Sequence, residues 1–409
     1  MAQHDNPFRP GAGQKPLYLA GRDSEQIKFR KLLDQKPVLR NLIITGLRGV
    51  GKTVLLDNLK PLAQKGKWLW TGNDLSESVS LSEERIATRV VADLSQLLTP
   101  IIVHHSETLA FGFSDDIKKS EKPISFDDLW NVYQSTPGLT SDKLKQVLIT
   151  AQKLLRGTSV NGIVFAYDEA QNLSDHAKEG EYPLSVLLDV FSSLQKNHDE
   201  IPILLILTGL PTLFPRLNEA RTYTERMFEV MQLERLSIDA CRLAITKPIE
   251  IAQSPLAFGD NVVNAVTQMS GGYPYFIQYI CREVFDAWIS RIDAGESPSV
   301  DRESIITKLD MDFFAPRWER TTVRQQEFMQ VISCLGNIDE GFTAQEVATE
   351  SGEILVKKFS PSHAIQMLQA LSDKGLIYRI KYGKYCFAVP LMADFIRRQQ
   401  HKLASANPA

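Results

Sequence analysis

A chain of 409 residues is too long for one ordinary hydrophobic core and is expected to fold as two to four domains, and its 43% hydrophobic and 23% charged residues are those of a globular protein. A formal net charge of −3 excludes a chain coated in basic charge, and the longest apolar run, residues 201–207, is far short of a membrane span of ~20 residues. Cys241, Cys281, Cys334 and Cys386 stand far apart with no Cys-x-x-Cys pair, and residues 1–13 hold no apolar signal segment. Neither a disulfide framework nor a zinc site is indicated, and a soluble, cytoplasmic protein without membrane attachment is expected.

In chain order, the first strong signal is Gly46-Leu47-Arg48-Gly49-Val50-Gly51-Lys52-Thr53, set between the strand-like Leu42-Ile43-Ile44 and the helix-prone run Val54 to Leu59. Glycines let the backbone curl so that successive N–H groups face a phosphate, and the following helix turns its positive dipole end to the same anion. Gly46, Gly49, Val50, Gly51, Lys52, Thr53 and Val54 are therefore candidate contacts to a nucleoside triphosphate. Lys52 is expected to reach the β- and γ-phosphates, and the Thr53 hydroxyl to ligate magnesium.

Trp68-Leu69-Trp70 predicts a second strand, and Ser82 predicts the N-cap of a helix running through Ile86, Val90, Val91 and Leu94. Residues 104–141, with Lys118-Lys119-Ser120-Glu121-Lys122-Pro123, read as a surface excursion. His104 and His105 at its start read as surface residues rather than metal ligands.

Residues 162–167 predict a buried strand that delivers Asp168 and Glu169 at its carboxyl end, the edge where ligands of open parallel sheets bind. Asp168 is expected to hold magnesium through water, and Glu169 to polarise the water that attacks the γ-phosphate. A third strand within residues 201–207 ends in Thr208, either a sensor of the γ-phosphate or the start of a turn before Gly209. Val230-Met231-Gln232-Leu233 predicts the last core strand.

Residues 236–316 read as a helical segment in which acidic side chains outnumber basic ones, and residues 317–402 as a segment with the opposite balance. In the latter, Thr343 to Glu346 forms a capping box, and Ser360-Pro361 opens a helix with Ala364, Met367, Leu368 and Leu371 on one face and His363, Gln366 and Gln369 outward. Strand-like runs then flank Tyr382-Gly383. Helix, helix and hairpin predict a winged helix. Lys374, Arg379, Lys381 and Lys384 gather around its hairpin as candidate contacts to duplex DNA, while protein binding or autoinhibition is the other expectation.

These motifs, preceded by Asn6-Pro7-Phe8 and by Gly21-Arg22-Asp23-Ser24-Glu25, resemble prokaryotic AAA+ ATPases of the initiator (origin-recognition-like) and STAND-like clades. The resemblance implies an α/β P-loop NTPase with a parallel-sheet core, an α-helical lid and a C-terminal winged helix, using ATP and Mg2+. It divides the chain into residues 1–37, a core over 38–235, a lid over 236–316, a winged helix over 317–402 and a tail over 403–409. Tyr18, Leu19, Gly21 and Arg22 become candidate adenine contacts, and Pro274 of Ser270-Gly271-Gly272-Tyr273-Pro274-Tyr275 the lid proline approaching the base. Arg226 is the first and Arg221 the second candidate for an arginine finger completing a neighbouring copy's site. The turn lacks the second-sensor arginine of many relatives, the nearest being Arg282. The implied activity is ATP hydrolysis by a switch acting on DNA, with a protein-partnered signalling or scaffold ATPase as the alternative.

Overall fold

Among the described residues seven strands precede residue 236: β1 (Asn41–Gly46), β2 (Trp68–Thr71), β3 (His104–Ser106), β4 (Lys119–Glu121), β5 (Gly162–Tyr167), β6 (Ile203–Gly209) and β7 (Phe228–Leu233). The computed structural model describes residues 5–11, 13–100, 104–106, 119–121, 123–196, 200–254, 256–293, 300–336, 338–381 and 383–406. Five strands form one sheet in the order β2-β5-β6-β1-β7, and the β2–β5, β5–β6 and β6–β1 pairs are parallel. β1, β5 and β6 are buried along their whole lengths, as expected of near-continuous apolar strands covered on both faces.

The chain divides into two compact units: Met1–Asp23, Gly46–Val54 and Leu233–Ala409 in one, Ser24–Thr45 and Leu55–Gln232 in the other. In the second, Ile43, Phe165, Leu205 and Phe191 share a core with the helix Glu83–Leu98, whose Ser82 cap accepts from Arg85 N at 3.2 Å. Part of the expected surface excursion also belongs to this core. Ser125 and Asp128 form a capping box that opens a helix over Phe126–Ser135, and its Leu129 and Tyr133 are buried. Phe126, Trp130 and Val132 pack, partly buried, against the same core. β3 pairs antiparallel with β4. Residues 107–118 and 122, which include Lys118 and Lys122, lie outside the described residues, as do the side chains of His104 and His105.

In the first unit the lid helices Ile238–Ile251, Asp260–Ser270 and Pro274–Asp293 share one continuous core with the C-terminal segment: Ile280, Phe314, Phe328, Leu368 and Phe395 are all members. The N-terminus is fastened to the same body. Asn6 donates to Arg282 O and Asp286 Oδ1, and Phe8 stacks on Phe258 with centroids 5.9 Å apart. C-terminal helices Val323–Cys334, Ala344–Ile354 and Pro361–Asp373 lead into the antiparallel pair β8 (Ile377–Lys381) and β9 (Lys384–Phe387). Phe342 adds a short third rung by exchanging two 2.8 Å bonds with Tyr385. The closing helix Met392–Ala406 is locked by Arg398, whose guanidinium forks onto the buried Asp310 at 3.0 and 2.5 Å. Among the described residues no helix is long and apolar enough to cross a membrane.

Candidate nucleotide site

Residues 46–54, expected to hold phosphate, lie in the first unit, as do Tyr18, Leu19, Gly21, Arg22 and Pro274. Gly49 and Gly51 take positive φ, 77° and 94°, the backbone that side-chain-bearing residues avoid and a curled loop requires. Lys52 is buried, and its ammonium donates to Gly46 O and Leu47 O, each at 3.0 Å. Thr53 and Val54 open the following helix, half-buried. The lid turn meets the loop directly: Tyr275 N donates to Gly49 O at 3.1 Å, and a Cβ added at Gly51 would lie 4.0 Å from Pro274 Cγ.

Arg22, expected at the adenine, is tied to the backbone in this structure. Its guanidinium is buried and donates to Val50 O at 3.0 Å and Glu234 O at 2.8 Å, bracing the phosphate loop from behind. A buried guanidinium must spend its donors, and backbone carbonyls are the acceptors within reach. Gly21 packs where a Cβ would come within 2.7 Å of Ala240 Cβ, whereas Tyr18 and Leu19 remain half-buried.

The other four expected site residues, Asp168, Glu169, Thr208 and Arg226, lie in the second unit. Asp168 is nearly buried and its Oδ1 accepts from Glu169 N at 2.8 Å. Glu169 itself has φ 51°, a left-handed value that costs a non-glycine residue energy and clusters at functional sites. Thr208, expected as a sensor, is wholly buried and donates its hydroxyl to Tyr167 O at 3.1 Å, toward the neighbouring strand. Arg226 is exposed on the short helix Thr224–Met227. Arg221, the second candidate, grips Asp189 at 2.9 and 2.7 Å, and Tyr223 donates to the same carboxylate at 2.6 Å.

Two further residues at this strand edge went unassigned from the sequence. Asp74 forms a parallel bridge with Asp168, and burial, then Asp168, Glu169 and Asp57, pushes its carboxyl above the ordinary aspartate range. Gln171 bonds to Glu169. Asp74 could have been suspected as an acid just past the end of β2, whereas Gln171 carried no signal beyond its place after the acids.

One protein-family model, described as "Domain of unknown function (DUF8462)", matches residues 311–396. No curated protein matches the chain. Among solved structures it is similar to the ORC2 protein of Aeropyrum pernix in its ADPNP-ADP complexes, at 13% identity and a TM-score of 0.52 over 97% of this chain and 99% of that one. It is likewise similar to the ADP form of that protein, at 12% identity and a TM-score of 0.50 over 98% and 100%. At these identities the likeness is one of fold. The chain has the α/β fold of the P-loop AAA+ ATPases, with a five-stranded core sheet.

Proposed function

We propose that this chain binds ATP at Gly46 to Val54 and hydrolyses it, as a switch that acts on duplex DNA through a C-terminal winged helix. One observation carries the ATPase reading: β1 and β5 run parallel with β6 between them, so the strands leading to the phosphate loop and to Asp168-Glu169 point their carboxyl ends to one edge of the sheet. Glu169 accepts a proton from the water whose oxygen attacks the γ-phosphorus, while the bond to the β–γ bridging oxygen breaks. Lys52 neutralises charge on the phosphates. Thr53 and Asp168 supply a hydroxyl and a carboxylate, the sparse oxygen set that suits Mg2+, which keeps several waters and, when bound, offsets charge on the β- and γ-phosphate oxygens. Exposed Arg226 is the residue available to complete the site of a second copy.

Three C-terminal helices followed by β8, β9 and the Phe342 rung support the winged-helix reading. Its cationic surface differs from the one expected around the hairpin. Lys374, though exposed, donates to Arg320 O and Gln325 Oε1 at 2.8 Å each, and the side chain of Lys381 lies outside the described residues. Arg379 remains exposed and Lys384 half-buried. Arg317, held below its ordinary pKa by burial and by Arg48, marks a second cationic cluster with Arg320, suited to phosphates of a polyanion. A specific contact favours the protein-partnered alternative as a second reading: a Cβ added at Gly375 would lie 3.4 Å from Arg48 Nη2, so a phosphate-loop side chain touches the end of a C-terminal helix.

The test is ATP hydrolysis by wild type and Glu169→Gln, with and without duplex DNA at two salt concentrations, alongside mass in solution. Turnover is expected to fall ~100-fold or more in the variant with nucleotide binding retained. Unchanged turnover in Glu169→Gln removes Glu169 as the catalytic group. Turnover indifferent to DNA transfers the switch to a protein partner.

A further inference from the structure

Glu169 is aimed by a neighbour that reaches across to another strand. Gln171 Nε2 donates to Glu169 Oε2, and Gln171 Oε1 accepts from Leu210 N at 3.1 Å, one residue past the end of β6. The two ends of the carboxamide cannot be exchanged. A carboxylate needs a donor and a backbone N–H needs an acceptor, so only one orientation satisfies both. The turn that carries Gln171 is itself pinned on two sides: Arg216 donates to Gln171 O, and Asn172 Nδ2 donates to Leu75 O at 2.9 Å. The carboxamide is thus a rigid link between the β6 terminus and the acid. Thr208, the polar residue on β6 itself, has its hydroxyl turned to Tyr167 O instead.

We propose that Gln171 is a positioning residue for the hydrolytic step, holding the Glu169 carboxylate in place and coupling it to the Gly209-Leu210 end of β6. The inference rests on the ATPase function proposed above. Its geometry provides an independent lever. A Cβ at Gly209 would sit 2.6 Å from Gln171 Oε1, 3.0 Å from Leu213 Cδ2 and 3.4 Å from Gln171 N, so Gly209→Ala displaces the carboxamide without removing any functional group.

Steady-state ATP hydrolysis, nucleotide affinity and thermal unfolding are measured on the full chain for wild type, Gln171→Ala, Gly209→Ala, their double variant and Glu169→Gln. Gln171→Ala is expected to lower kcat by about 10-fold with nucleotide affinity within about 2-fold, because a misplaced catalytic group costs rate rather than binding. Gly209→Ala is expected to lower kcat in the same way, and the double variant to be no slower than Gln171→Ala, as two changes acting through one contact are non-additive. Unchanged or raised kcat in Gln171→Ala, equal losses of affinity and kcat, or fully additive losses overturn the proposal. A dead Glu169→Gln beside a wild-type-like Gln171→Ala sinks only the positioning role. Wild-type turnover in Glu169→Gln sinks the hydrolytic assignment beneath it.

Discussion

Around Lys52 the bonds come mainly from the loop's own carbonyls, at Gly46 and Leu47, whereas around Glu169 they come from Gln171, whose partners Leu210 and Arg216 lie on later elements. The first arrangement is made by consecutive residues and the backbone angles of two glycines. The second is made by side chains brought together only when β5 and β6 pair. Two ion pairs, one from each unit, also contrast: Asp310 is buried under Arg398, whereas Asp189 and Arg221 are each more than a third exposed. A loop closed upon itself should be sensitive at one position, and a relay at every joint.

The largest effect is expected where a charge would be stranded. Arg398→Ala leaves the Asp310 carboxylate buried without its fork and should cost about 3 kcal/mol, read as a lower unfolding midpoint by calorimetry, with the sheet unit's own transition little changed. A single transition that moves as a whole would erase the distinction between the units. Lys52→Ala should lower ATP affinity by about 100-fold, near 2.7 kcal/mol, in a fluorescent-nucleotide titration; retained affinity would mean that the loop's amides suffice alone. Arg221→Ala is expected to cost only about 1 kcal/mol, since its pair with Asp189 is screened by solvent.

That last pair has a pH signature. Burial pushes the Asp189 carboxyl up, but hydrogen bonds from Arg221 and Tyr223 outweigh it and hold the carboxyl below the ordinary aspartate range. Folding therefore gains from this group above the unfolded-state value and loses that gain as pH falls through the lower folded-state value. Chemical denaturation between pH 2 and pH 5 should show a shallower acid-side fall in Arg221→Ala than in wild type. Equal slopes would assign the lowered carboxyl to Tyr223 alone.

How much was legible in advance follows the same division. The strands of the core sheet, the serine caps at Ser82 and Ser360 and the capping box at Thr343 and Glu346 were readable because each depends on neighbours within a few positions. The helix over Phe126–Ser135 was hidden because it lies inside a stretch that also holds Gly112, Pro123, Pro137 and Gly138, and the bonds of Lys374 to Gln325 and the Arg320 carbonyl were not visible in the sequence. For Arg22 too the residue type was visible in the sequence, but not its bonds to the Val50 and Glu234 carbonyls.

By itself the sequence determined the curled glycine turn at Gly49 and Gly51, the acidic strand end and the alternation of apolar strands with helices, because these are properties of consecutive residues and of backbone sterics. Only the tertiary structure decided where long side chains spend their hydrogen bonds. Arg22 finds Glu234, Arg221 finds Asp189 and Gln171 finds Leu210. Buried or half-buried donors and acceptors must be satisfied by whatever partners the fold brings near, and those partners lie tens to hundreds of residues away along the chain.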